Sequence, residues 1–211
     1  MKWIVVVGAL SSFGQPICKR LFDAGFGIYG VGVHLKKDVI YDPAVFSFDR
    51  VDITNRDDTA EFFRGIRKKE VAGLVNAARF VPSVSDPVRL NLEVSVRMWE
   101  TNVQGLAYLV DEFMSSATRN HWPPPLTVVD IADCEQRVGV HPLFSAAMSA
   151  RRRMGFELAA LYQNLRIKTI IRKAEDTPEQ IAEAVELLMF GQCKDFIGEY
   201  TPTPDSDFAT R

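Results

Sequence analysis

The chain has 211 residues, 47% hydrophobic and 25% charged, a balance that suits one globular α/β domain with a sizeable core. Its 25 basic and 27 acidic side chains leave a net charge of −2, so bulk charge makes no case for nucleic acid or an anionic membrane as partner. The three cysteines, Cys18, Cys134 and Cys193, are widely separated; they suggest neither a disulfide framework nor a metal cluster and fit a reducing cytoplasm.

Taken in chain order, apolar strands alternate with amphipathic helices. Strands are predicted over 3–7, 28–33, 45–48, 73–75, 126–131, 168–171 and 196–197. Helices are predicted over 16–24, 57–69, 92–116, 143–165 and 178–189. That alternation predicts a doubly wound parallel sheet of about seven strands with both faces covered. Pro16 suits a first helical turn, where its missing N–H costs nothing, and Pro178 after Asp176-Thr177 repeats the start signal. The long helix from Leu143 is expected to bury Ala147, Met154, Leu158, Leu161 and Leu165 at helical spacing. The basic runs Arg67-Lys68-Lys69 and Arg151-Arg152-Arg153 read as solvated helix faces. No repeat, low-complexity segment or linker interrupts the chain, so residues 1–211 are expected to form one domain. The first residues enter a strand with no signal-peptide core, and no apolar run reaches membrane-spanning length.

The first strand, Trp3-Ile4-Val5-Val6-Val7, runs into Gly8-Ala9-Leu10-Ser11-Ser12-Phe13-Gly14. Later come Asn76-Ala77-Ala78, Asn102-Val103-Gln104-Gly105 and Asp130-Ile131-Ala132-Asp133. In that order these segments resemble the short-chain dehydrogenase/reductase (SDR) family over nearly the whole chain, which implies a Rossmann-like fold. A glycine turn between a strand and a helix brings a pyrophosphate to backbone N–H groups. The family pattern has three glycines; this chain keeps Gly8 and Gly14 and has Ser12 between them, with Ser11 and Phe13 completing the loop. The second strand runs into His34, Lys36 and Lys37 with no carboxylate for an NAD ribose. His34 or the lysines suit a 2′-phosphate, or form a solvated basic loop. Asp52-Ile53 resembles the family's adenine-contacting pair, and Asn76-Ala77-Ala78 resembles Asn-Ala-Gly beneath the cofactor. The expected cofactor is none, or weakly bound NADP(H).

The family's catalytic Tyr-x-x-x-Lys matches Phe144-Ser145-Ala146-Ala147-Met148. A phenyl ring has no proton to give, and a thioether carries no charge. Asn102 matches the family's relay asparagine; without the lysine, it is expected to bond backbone at a helix kink. Asp133 stands at the catalytic serine position. Together with Glu135, Arg137 and His141 it resembles the pteridine reductase and dihydromonapterin reductase branch. Asp133 and His141 are the remaining candidates for proton transfer, and no metal site is expected. The family's Pro-Gly turn and substrate loop are absent after 168–171, so the fold is expected to be truncated there.

The first reading is a pseudoenzyme acting as a binding or assembly subunit. It pairs with itself or with an active SDR paralogue through the two long helices, which form the dimer interface in the resembled family. The second is an enzyme of altered chemistry, or a binding protein, for a pterin-like small molecule. The third is an NADPH-dependent pteridine reductase-type oxidoreductase.

Overall fold

In the computed structural model, the residues described are 1–33, 44–66, 69–82, 91–133, 142–191 and 198–200. β1 (Trp3–Val7) lies at the centre of a parallel sheet because all five of its apolar residues are buried. Ile4 and Val6 face one core, and Val5 and Val7 face the other, the period-two alternation of a strand covered on both sides. The remaining strands are β2 (Gly27–Gly32), β3 (Phe46–Arg50), β4 (Val71–Asn76), β5 (Leu126–Asp133), β6 (Leu165–Arg172) and β7 (Gly198–Tyr200). Their order across the sheet is β3-β2-β1-β4-β5-β6-β7, all parallel. The chain winds outward from β1 through β2 and β3, then returns to the other side of β1 with β4. That reversal opens a crevice at the carboxyl ends of β1 and β4, where ligands bind in open α/β sheets.

The helices are α1 (Gly14–Asp23), α2 (Arg56–Gly65), α3 (Leu92–Trp99), α4 (Gly105–Asn120), α5 (Pro142–Leu161) and α6 (Pro178–Phe190), with a π turn, Glu100–Gln104, joining α3 to α4. Their starts are set locally. The Asn55 side chain accepts from the Asp57 N–H at 2.9 Å, and the Asn91 side chain accepts from the Glu93 N–H at 3.0 Å. Thr177 and Gln180 form a reciprocal capping box with bonds of 2.8 and 3.2 Å; each such cap satisfies donors the helix leaves free. α1 and α6 pack together on one face of the sheet, with Ile17, Leu21, Ile181, Val185 and Leu188 in its core. Phe62 and Phe63 of α2, Phe113 of α4 and Leu158 of α5 fill the other core.

Several expectations change. The helix predicted over 143–165 ends at Leu161, and Leu165 instead opens β6, where it is buried. Leu161 is 68% exposed and Met154 only partly buried, because the apolar period runs past the helix into the next strand. The helix predicted over 92–116 is broken by the π turn and extends to Asn120. α2 stops at Gly65, short of the predicted 69. The strand predicted over 196–197 lies outside the described residues; β7 begins at Gly198.

Arg151 is not on a solvated face: it is fully buried. Lys69 of the other basic run lies 3.3 Å from the Trp3 ring centroid, covering the start of β1 with a cation–π contact. β6 passes to α6 through residues 173–177 alone, with the Lys173 N–H bound to Asp176 at 2.6 Å. No long loop separates the two elements. Among the described residues no helix is long and apolar enough to cross a membrane.

Candidate functional site

The carboxyl ends of β1 to β4 enclose a cleft of about 1010 Å³, at the upper end of the range for small-molecule sites. Eight of the residues expected from sequence line it: Gly8, Ser11, Ser12, Phe13, Asp52, Ile53, Ala77 and Ala78. Gly14 and Asn76 lie buried immediately behind. His34, Lys36 and Lys37 fall outside the described residues.

The two glycines of the loop are required for different reasons. Gly8 has φ +75°, and a Cβ there would sit 3.1 Å from the Ala77 carbonyl. A Cβ on Gly14 would lie 2.0 Å from the Gly8 oxygen, so only glycine lets α1 start against the loop. The loop also consumes its own donors. The Gly14 N–H donates to the Ser11 hydroxyl at 2.9 Å, and the Gln15 N–H donates to the Ser11 carbonyl at 3.1 Å. Pro16 has no N–H. Three of the first-turn amides that would greet a pyrophosphate are therefore engaged or absent.

On the other wall, the exposed Asp52 carboxylate accepts from the Thr54 N–H and hydroxyl at 3.0 and 2.8 Å. Ile53 is buried, with its side chain against Gly105 at the start of α4. Arg50, which sequence reasoning missed, also lines the cleft. The parallel register sets Arg50 opposite Gly32, at the end of β2, where residues reading a ribose or its 2′-phosphate belong. Only that register, which is a property of two strands together, could have identified it.

The floor is braced by a buried ionic network. Arg151 of α5 grips Asp130 of β5 with both ends of its fork, Nε to Oδ2 at 2.8 Å and Nη2 to Oδ1 at 2.6 Å. Its Nη1 donates to the Ala78 carbonyl at 2.9 Å. The Asn76 amide donates to Asp130 at 2.9 Å and accepts from the Ala78 N–H at 3.2 Å. Asn102, in the π turn, is fully buried. Its Nδ2 donates to the Phe80 carbonyl at 2.8 Å and its Oδ1 accepts from the Phe80 N–H at 2.9 Å. That satisfies a buried amide with backbone partners at a helix irregularity.

Asp133 is nearly buried and held by two guanidinium groups. Arg79 reaches it through Nη1 at 2.9 Å, and Arg172 binds it from the end of β6. Phe144 and Met148 are 0% and 1% exposed, and with Met98, Ala132 and Ile171 they form a closed apolar cluster. His141 lies outside the described residues. Among the described residues no group of three or more His, Cys, Asp or Glu is placed to hold a metal.

No family model matches the chain, and no curated protein matches it. Solved structures do. Serine dehydrogenase from Escherichia coli superposes with a TM-score of 0.81 at 19% identity, covering 94% of this chain and 96% of its own. Aldohexose dehydrogenase from Thermoplasma acidophilum gives 0.80 at 17%, covering 97% and 96%. An oxidoreductase of the short-chain dehydrogenase/reductase family from Brucella ovis, solved with partially ordered NAD, gives 0.80 at 17%, covering 96% and 99%. The chain has the short-chain dehydrogenase/reductase fold.

A dinucleotide on this fold spans the crevice, one half over β1–β3 and the other over β4–β6. The first half finds a cleft and a glycine that permits close approach. The second half meets the carboxyl ends of β5 and β6, where Asp133 and Arg172 are already bound to each other. The residues present do not fit the nicotinamide half.

Proposed function

We propose that this chain is a catalytically silent protein of the short-chain dehydrogenase/reductase fold. It works as a single cytoplasmic domain in binding or assembly, joined to a second copy or to an active paralogue of the same fold. The observation that supports this is the burial of Phe144 and Met148 in a closed apolar cluster. The positions matching the catalytic acid and lysine serve packing, and neither side chain can move a proton.

The helices offer a surface for assembly. Leu92, Val96 and Trp99 recur along one face of α3 and are 78%, 46% and 42% exposed. Phe156 and Leu161 are exposed on α5, against which α3 packs. A pterin-directed enzyme needs a free acid–base group, and Asp133 is engaged by two arginines.

Purified protein is expected to oxidise neither NADH nor NADPH above a blank with dihydropterin, quinonoid pterin or simple carbonyl compounds. A heat-labile turnover well above the blank overturns the proposal.

A further inference from the structure

The cleft stops short. Its walls come from the ends of β1, β2 and β3, from the segment after β4 and from α3 with the π turn. No described residue of β5 or β6 lines it. The boundary is built from four side chains that converge from four segments. Phe13 extends from the glycine loop, with its ring centroid 4.7 Å from the Arg172 guanidinium carbon and 5.2 Å from that of Arg79. Both guanidinium groups are bound to Asp133. Arg172 and Asp133 are 4% and 2% exposed at their side chains. Clearing this barrier means separating a buried ion pair and uncovering two cation–π faces, each unfavourable.

The open half carries groups for one anionic nucleotide. Arg50 stands at the sugar-reading end beside Gly32. Arg97 lies on the α3 wall with its guanidinium 5.0 Å from the Phe80 ring. Among the described residues, the only carboxylates on the walls are Asp52, whose carboxylate accepts from Thr54, and Asp58 at the start of α2.

We propose that the cleft is a single-nucleotide site. It takes one nucleoside with its phosphates, prefers a 2′-phosphate through Arg50, and is closed to the second nucleoside of a dinucleotide by the Phe13–Arg79–Asp133–Arg172 barrier. This does not rest on the absence of catalysis or on the assembly proposed above.

Calorimetry of the full chain with ADP, 2′,5′-ADP, NAD and NADP tests it. The expected result is that 2′,5′-ADP binds more tightly than ADP, and that NADP binds no more tightly than 2′,5′-ADP. Arg50→Ala lowers 2′,5′-ADP affinity about tenfold, the size of one charge-assisted contact, and leaves ADP little changed. Phe13→Ala raises NADP affinity relative to 2′,5′-ADP. Phe13→Leu keeps the apolar contact while removing the ring from between the guanidinium groups, and serves if the alanine variant does not fold. NADP binding to the wild-type chain at least about tenfold more tightly than 2′,5′-ADP, a difference of about 1.4 kcal/mol, would show that the second nucleoside is seated and overturn the proposal. No binding of any probe overturns it equally. Folded Phe13 variants that leave the NADP to 2′,5′-ADP ratio unchanged refute the barrier.

Discussion

Arg151 on α5 and Asp130 on β5 form a two-pronged ion pair with neither side chain exposed to water. The pair anchors a helix to the sheet, and through the Ala78 carbonyl it also fixes the segment after β4 that floors the cleft. A buried pair of this kind adds little net stability, but losing one partner strands the other charge.

Arg151→Met is therefore expected to destabilise the fold by about 3–5 kcal/mol. Urea unfolding measures it. Pairing it with Asp130→Leu should recover part of the loss, because the stranded carboxylate is removed. A single variant as stable as wild type would show that Asp130 finds another partner.

Met148→Lys is the reverse experiment. Met148 lies in a closed cluster with Phe144, Met98, Ala132 and Ile171, so a lysine there has no polar partner. The expected cost is about 3 kcal/mol or more. The double variant Phe144→Tyr with Met148→Lys is expected to restore no reductase activity. A well-folded, active double variant would mean that the site needs only its two side chains back.

Asp49 gives a pH signature. Partial desolvation at an exposed strand position raises its carboxyl above the ordinary 3.8. Tyr29 is also pushed up, first by its own burial and then by the charge of Asp49. A raised acid holds its proton more readily in the folded state, so stability falls as pH climbs through the window above the ordinary value and stays reduced beyond it. Asp49→Asn should raise the melting temperature near neutral pH and make little difference at about pH 3, where both forms are neutral. An equal gain at both pH values would assign the effect to packing.

Much of the fold was legible because the decisive signals are local. β1 is a run of five buried apolar residues, and the Thr177–Gln180 box announces α6 within four residues. What was not legible depends on partners distant in sequence. Arg151 sits in a run of three arginines that reads as a wet helix face; only Asp130, across a strand, makes it a core residue. Leu161 and Leu165 share helical spacing, yet one faces water and the other begins a strand, since periodicity does not mark where a helix must stop. Arg50 became part of the site through strand register alone.

The exposed face of α3 gives the test of assembly. Light scattering at micromolar concentration should show the wild-type chain larger than a monomer, alone or mixed with active SDR proteins. Val96→Glu with Trp99→Glu should return it to a single chain by placing charge in an interface that buries roughly 1,600 Å². A wild-type monomer in every mixture ends the assembly proposal.

The π turn at Glu100–Gln104 has a geometric result of its own. An α-helix rotates by about 100° per residue, so a wider turn re-indexes α3 against α4, and with it the direction in which Leu92, Val96 and Trp99 point. Within the turn the Asn102 amide is bound to the Phe80 backbone, and Phe80 itself lines the cleft. Cleft and outer helix face are thus geared through one residue. Straightening that joint would swing α3 about its own axis and withdraw a wall of the cleft in the same movement.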